Sequence, residues 1–132
     1  MVESSAESRH DVPMTPVTLD SLRAFVRDVL LAMGLPDEEA EIFGGALVFS
    51  ELRFHPGHGQ GVKKLRRYGD RFARGLVDVA APFEVVKESP ALALVDAHNG
   101  IGTVMATRAM RLAIEKAKVC GIGQVVVRDS TH

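Results

Sequence analysis

The stretch that decides the fold runs from Ala91-Leu92-Ala93-Leu94-Val95-Asp96, through Asn99-Gly100 and Ile101 to Val119, into Gln124-Val125-Val126-Val127-Arg128. The first and last segments are short and apolar, and Ser89-Pro90, Asn99-Gly100 and Gly121 bound them, which predicts two strands. Between them Val104, Ala109, Leu112, Ala113, Lys116 and Ala117 fall along one side at helical spacing, and Gly121 stops the helix. Strand, helix and strand in that order make a βαβ unit with parallel strands and a right-handed crossover. The unbroken apolar run Val125-Val126-Val127 predicts a buried parallel strand. Phe83 to Lys87 adds a further strand, joined to 91 to 96 by the turn at Ser89-Pro90.

Working back from this unit, the chain is helical. Thr18 is placed to cap a helix carrying Leu22, Phe25, Val26, Val29 and Leu30, with Gly34 as its stop. Pro36 and the acidic Asp37-Glu38-Glu39 suit the first turn of a second helix running to about Leu52. Its apolar residues Ile42, Phe43, Ala46, Leu47 and Phe49 nearly encircle it, so burial is expected, with Gly44 and Gly45 allowing a close neighbour. Residues 53 to 61, with one proline and three glycines, form a loop. A third helix, about Val62 to Arg74, points Leu65, Tyr68 and Phe72 inward and a basic run outward. Met1 to Val17 has no periodicity and reads as a disordered tail. The expected divisions are therefore a tail over 1–17, a helical region over 18–78 and the start of an α/β domain over 79–132.

The 132 residues include 46% hydrophobic and 25% charged side chains, enough for a real core without metal or disulfide staples. Cys120 is the single cysteine. It cannot form an intramolecular disulfide, and its place beside Gly121 at a helix end predicts a packing role. No Cys/His cluster has zinc spacing and no apolar run is long enough for a bilayer, so no metal and no membrane partner are expected. A reducing cytoplasm is the expected location. The net charge is -1, yet residues 1–52 hold three basic and ten acidic side chains against thirteen and seven in residues 53–132. The densest basic stretch, Lys63 to Arg74, is either a solvated helix face or a site for a carboxylate or phosphate. With only Tyr68 and Phe72 aromatic there, it does not predict a nucleic-acid partner.

Three constellations carry candidate chemistry. In His55-Pro56-Gly57-His58-Gly59-Gln60-Gly61, imidazoles suited to proton transfer near neutrality sit among glycines that permit close approach to the backbone; an exposed turn is the plainer alternative. In Asp129-Ser130-Thr131-His132, polar groups stand just beyond a strand, where ligand sites of such sheets gather; a polar chain end is the plainer alternative. The third, Asp96 to Met105, imitates a dinucleotide fingerprint, but Met105 stands where a third glycine is needed, and His98 and Asn99 read as turn residues.

The series Gly34 to Ala40, Leu47 to Arg53 leading to His58-Gly59, Tyr68, Gly75, Val95-Asp96 with Gly100-Ile-Gly102, Ala113 to Ala117 with Gly121-Ile-Gly123, and Val127 to His132 resembles the malate/L-lactate dehydrogenase family. This family also holds ureidoglycolate dehydrogenases and diketogulonate reductases and is distinct from the Rossmann-type lactate dehydrogenases. The resemblance implies NAD- or NADP-dependent interconversion of a small 2-hydroxy acid and its 2-oxo acid, and a homodimer in the full-length form. Gly57-His58-Gly59 matches the family's Ser-His-Gly motif without its serine, and Ser130-Thr131-His132 matches its Ser-x-His motif. His58 and His132 are thereby the catalytic candidates, with Lys64, Arg53 and Ser130 as substrate-binding candidates. Lys64 stands in an arginine's place and lacks the planar fork that grips a carboxylate. The fold expected is α/β: a helical region followed by the start of a mostly parallel sheet, an incomplete fragment of a larger fold and inactive alone. The alternative function is a non-catalytic, truncated member acting as an assembly or interaction module.

Overall fold

The computed structural model describes residues 15–53 and 61–131. Four helices and three strands follow in the order α1 (Leu19–Ala32), α2 (Asp37–Leu52), a single 3-10 turn (Gly61–Lys63), α3 (Lys64–Ala73), β1 (Glu84–Glu88), β2 (Leu92–Asp96), α4 (Gly102–Cys120) and β3 (Gln124–Arg128).

The local signals in the sequence set most of these boundaries. Thr18 caps α1, its hydroxyl accepting the Ser21 N–H at 3.2 Å. Gly34, at φ +92° where a side chain is strained, ends that helix. Pro36 precedes α2, and the acidic residues 37–39 occupy its first turn as the helix dipole favours. Gly44 lets α1 come close: a β-carbon there would lie 3.3 Å from both Leu30 and Val26. The burial expected all round α2 is not found, since Gly45, Phe49 and Leu52 are exposed. One apolar side of α2, through Ala40, Phe43, Leu47 and Val48, is enough to seat it on α1 and α3.

β2 is the central strand, antiparallel to β1 and parallel to β3. The β1–β2 register slips between Val85 and Lys87. In β2, Ala93 and Val95 turn under α4, whereas Leu92 points outward. β3 corrects the burial expected of a valine run: its exposure alternates, and Val126 is 50% exposed. It is parallel as predicted but lies at the sheet edge, with only Val125 and Val127 turned to the helix side that carries Ala93 and Val95. Cys120 is also exposed at the end of α4, not packed.

A single buried cluster joins α1, α2 and α3 to Val77, to Ile101 just before α4 and to Val104 of α4. The helical region and the first turn of α4 therefore share a core. Across this junction Arg108 pairs with the nearly buried Glu39, and Arg111 bonds Glu38 at 2.6 Å. A smaller cluster of Ala81, Ala97 and Met105 lies beneath the turn that follows β2. No helix among the described residues is long and apolar enough to cross a membrane.

Candidate functional site

The carboxyl ends of β2 and β3 lie side by side because the two strands run parallel in register, Asp96 opposite Arg128. Ala97 donates its N–H to the Arg128 carbonyl at 3.0 Å, the last rung before both strands turn. Each then passes through left-handed backbone, with φ +44° at His98, +62° at Asn99 and +53° at Asp129. Histidine, asparagine and aspartate adopt this conformation more readily than other side-chain-bearing residues. Local hydrogen bonds offset the cost, since the Asp96 Oδ1 accepts the His98 N–H at 2.9 Å and the Asp129 carbonyl accepts the Asn99 N–H at 2.7 Å.

Asn99 ties three segments together. Besides its bond to Asp129, its side-chain amide donates to the Leu76 carbonyl at 2.8 Å, and its own carbonyl accepts the Asp78 N–H at 3.1 Å. Thr131, buried, is held by two bonds to one acceptor: its N–H and its hydroxyl both donate to the Gly100 carbonyl, at 3.0 and 2.9 Å. The chain that leaves β3 is thereby fixed to the turn that leaves β2.

Ionisable side chains pair across these ends. Glu84 Oε2 lies 2.6 Å from His98 Nε2, and Asp96 Oδ2 accepts from Arg128 Nε at 2.9 Å with Nη2 at 2.7 Å. The His98 N–H donated to Asp96 holds that carboxyl below the ordinary aspartate range; partial burial opposes this, and the Arg128 guanidinium adds to it. Asp96, His98, Asn99, Asp129 and Ser130 line an open recess of about 640 Å³. Such a recess, floored by a committed carboxylate and rimmed by an exposed serine hydroxyl and a histidine, suits a small polar molecule. The sequence reading missed the Asp96–Arg128 pair and the share of Glu84 and His98. The register that sets Leu92 opposite Gln124 sets Asp96 opposite Arg128, and no local signal in the sequence gives that register.

Whether the glycines here fit a dinucleotide can be tested directly. A β-carbon on Gly100 would meet Met105 Cε at 2.4 Å and Ala81 Cβ at 2.8 Å, and one on Gly102 would meet the Thr131 carbonyl oxygen at 2.0 Å. The protein itself fills the space beside both glycines, so they do not form a cradle for a pyrophosphate. Among the described residues no group of histidine, cysteine and carboxylate side chains has the arrangement of a metal site.

A second candidate region lies at the end of α2. Arg53 is exposed, its guanidinium 4.6 Å from the centroid of the Phe49 ring. Gly61, at φ +45°, seats against Glu51, whose Oε2 accepts the Val62 N–H at 2.9 Å. Lys64, half-buried, opens α3. Arg53 and Lys64 thus flank one seam, Ser130 lines the recess, and no hydrogen bond or ion pair among the described residues joins the two places. His58 and His132 lie outside the described residues.

Comparison with known proteins gives a consistent result. The sequence profile of the malate/L-lactate dehydrogenase family matches residues 17–132. A malate dehydrogenase of Pyrococcus horikoshii is 41% identical over 116 residues, 88% of this chain and 32% of that protein. An L-sulfolactate dehydrogenase of Methanocaldococcus jannaschii is 36% identical over 110 residues, 83% of this chain and 31% of that protein. The solved structure of the Pyrococcus horikoshii enzyme superposes with a TM-score of 0.83 over 89% of this chain and 33% of its own. That of the Methanocaldococcus jannaschii sulfolactate dehydrogenase, 33% identical, gives 0.81 over 88% and 33%. The chain spans about a third of the length of the relatives it matches.

Proposed function

The chain belongs to the malate/L-lactate dehydrogenase family, and from that premise we propose that it forms the N-terminal portion of an oxidoreductase interconverting a small 2-hydroxy acid and its 2-oxo acid. NAD or NADP is the proposed cofactor. None of the described residues is assigned to it, because the glycines at the start of α4 are filled by the protein. The family-length form is proposed to act as a homodimer in the cytoplasm.

The chain's own share of such a reaction is to neutralise the substrate carboxylate and to exchange a proton with the substrate oxygen at C2. Lys64 and Arg53 are proposed for the first task, with Ser130 as a hydrogen-bonding partner, and His58 and His132 for the second. The observation that supports this reading most is the double hold of Gly100 on Thr131 at the rim of the Asp96–Ser130 recess. Ser130 and Thr131 thus stand on a fixed backbone at the carboxyl end of parallel strands, the kind of place where ligand sites of such sheets gather.

The test joins residues 15–132 to the remaining two-thirds of the Pyrococcus horikoshii malate dehydrogenase, whose matching third they resemble at 41% identity. The chimera is expected to turn over at least one of a panel of 2-oxo acids with NADH or NADPH, while the 132-residue chain alone gives no rate above a protein-free control. His132→Ala should lower kcat by at least about 100-fold. Lys64→Ala should raise KM with little change in kcat, as expected of a group that binds substrate and transition state alike. A folded chimera without turnover on any of these acids overturns the reading.

A further inference from the structure

Lys64 and Ser130, assigned above to the same substrate, stand on different elements. Lys64 opens α3, and Ser130 follows β3. Their separation is set by whatever ties α3 to the end of the sheet. The buried cluster joins α3 to α4 through side chains, and a second connection runs through hydrogen bonds. Leu76 donates its N–H to the carbonyl of Arg71, in the last turn of α3, at 2.9 Å. Its own carbonyl accepts the Asn99 side-chain amide at 2.8 Å. Asn99 in turn donates its N–H to the carbonyl of Asp129, the residue before Ser130, at 2.7 Å. This path from α3 to the Ser130 segment contains one side chain, that of Asn99.

Two requirements meet at position 99. The backbone is left-handed, with φ +62°, a conformation that glycine and asparagine tolerate. The Leu76 carbonyl needs a donor, which glycine lacks and which aspartate would replace with a repelling acceptor. Asparagine meets both. Asn99 is exposed, so its bond to Leu76, and not packing, orients the amide. The segment beyond Leu76 has anchors of its own, since Val77 is buried and Asp78 donates to the Asn99 carbonyl at 3.1 Å. Losing the amide therefore shifts this segment without unfolding it.

We infer that Asn99 is a positioning residue for the proposed reaction: its side-chain amide fixes α3, with Lys64, against the Ser130 end of the sheet, so that both groups hold one small acid at a constant separation. The inference rests on the substrate-binding roles proposed for Lys64 and Ser130. Two groups that grip one molecule from separate elements lose much of their effect when either moves by about 1 Å.

Asn99→Gly deletes the amide while keeping the left-handed backbone and both main-chain bonds. In the chimera it should raise KM for the accepted 2-oxo acid about tenfold and lower kcat less than about threefold. In a Ser130→Ala background the same change should raise KM less than about twofold, because the group that Asn99 aligns is already gone; a merely structural role would add its full effect in both backgrounds. Asn99→Asp, which keeps the shape and loses the donor, should reproduce the defect, and it carries the test should Asn99→Gly fail to fold. A second readout needs no turnover. In the 132-residue chain, Asn99→Gly should speed hydrogen exchange at the Asp78 amide at least about threefold and leave the Ala97 amide, bonded to the Arg128 carbonyl, unchanged. A folded parent chimera without turnover removes the dehydrogenase reading, and the exchange measurement then decides alone whether Asn99 sets the register of the two segments. With an active parent, an unchanged KM, equal effects with and without Ser130, or an Asp78 amide indifferent to Asn99→Gly would each overturn the inference.

Discussion

Gly102 and Thr131 touch backbone to backbone: a β-carbon on Gly102 would stand 2.0 Å from the Thr131 carbonyl oxygen. The first residue of α4 and the residue after the β3 turn are thus packed as tightly as glycine allows, on a seam closed by the two Thr131 bonds to Gly100. Gly102→Ala must push one segment off the other. A loss of about 2 to 3 kcal/mol in urea unfolding is expected, in the range of an overpacked core. Native stability in this variant would mean that the seam yields freely and cannot hold a rigid site.

The pair Glu39–Arg108 joins the first turn of α2 to α4, and its side chains are 11% and 23% exposed. Removing one partner leaves the other largely desolvated without a counter-ion. Arg108→Met should cost about 3 kcal/mol, whereas Arg111→Met, whose partner Glu38 is more than half exposed, should cost clearly less. Paired urea titrations check the contrast; equal losses would place the α2–α4 junction elsewhere.

The contrast between these two pairs also marks what the sequence made legible. Thr18, Gly34, Pro36 and Gly121 announce helix ends through local chemistry, and the βαβ pattern follows from short-range periodicity, so these were readable. Glu39 with Arg108, or Asp96 with Arg128, are partners 69 and 32 residues apart, and only the folded register brings them together. Exposure was misread for the same reason. Valines at 125–127 look alike in sequence, but in a strand with α4 on one face only, successive side chains alternate between partly covered and exposed. Of the site, Ser130 is legible from its place just beyond a strand, whereas His98 and Asn99 read in sequence as turn residues and in the fold also line the recess.

Acid should loosen this site in a defined direction. Asp96 is held below its ordinary value of 3.8 by the His98 N–H and Arg128, and Glu38 below 4.5 by Arg111. For a carboxyl whose folded value is depressed, the stabilisation is complete above the unfolded value and is lost as pH falls through the folded one. Both contributions therefore vanish below their ordinary values, not near neutrality. In Asp96→Asn the melting temperature at neutral pH should drop towards the acid-end value and vary less with pH. A variant as acid-sensitive as the parent would remove Asp96 from the cause.

Glu51 at the end of α2 and Gly61 at the start of the 3-10 turn are packed against each other. The Glu51 carboxylate accepts the Val62 N–H at 2.9 Å, and Gly61, at φ +45°, lies so close that its β-carbon would meet Glu51 Oε2 at 2.0 Å and Glu51 Cα at 2.9 Å. The carboxylate could swing away, but the Cα could not. Glu51→Gln keeps an acceptor and should stay within about 0.5 kcal/mol of the parent, while Glu51→Ala should lose about 1 kcal/mol, one hydrogen bond's worth. Gly61→Ala combines a backbone clash with left-handed strain and should lose about 2 to 3 kcal/mol. Because His58 lies in the sequence between Arg53 and this seat, Gly61→Ala in the chimera should also lower kcat, and Glu51→Gln should leave it unchanged. If Gly61→Ala weakens folding yet leaves kcat intact, the seat serves stability alone and the proposed role of His58 loses its structural support.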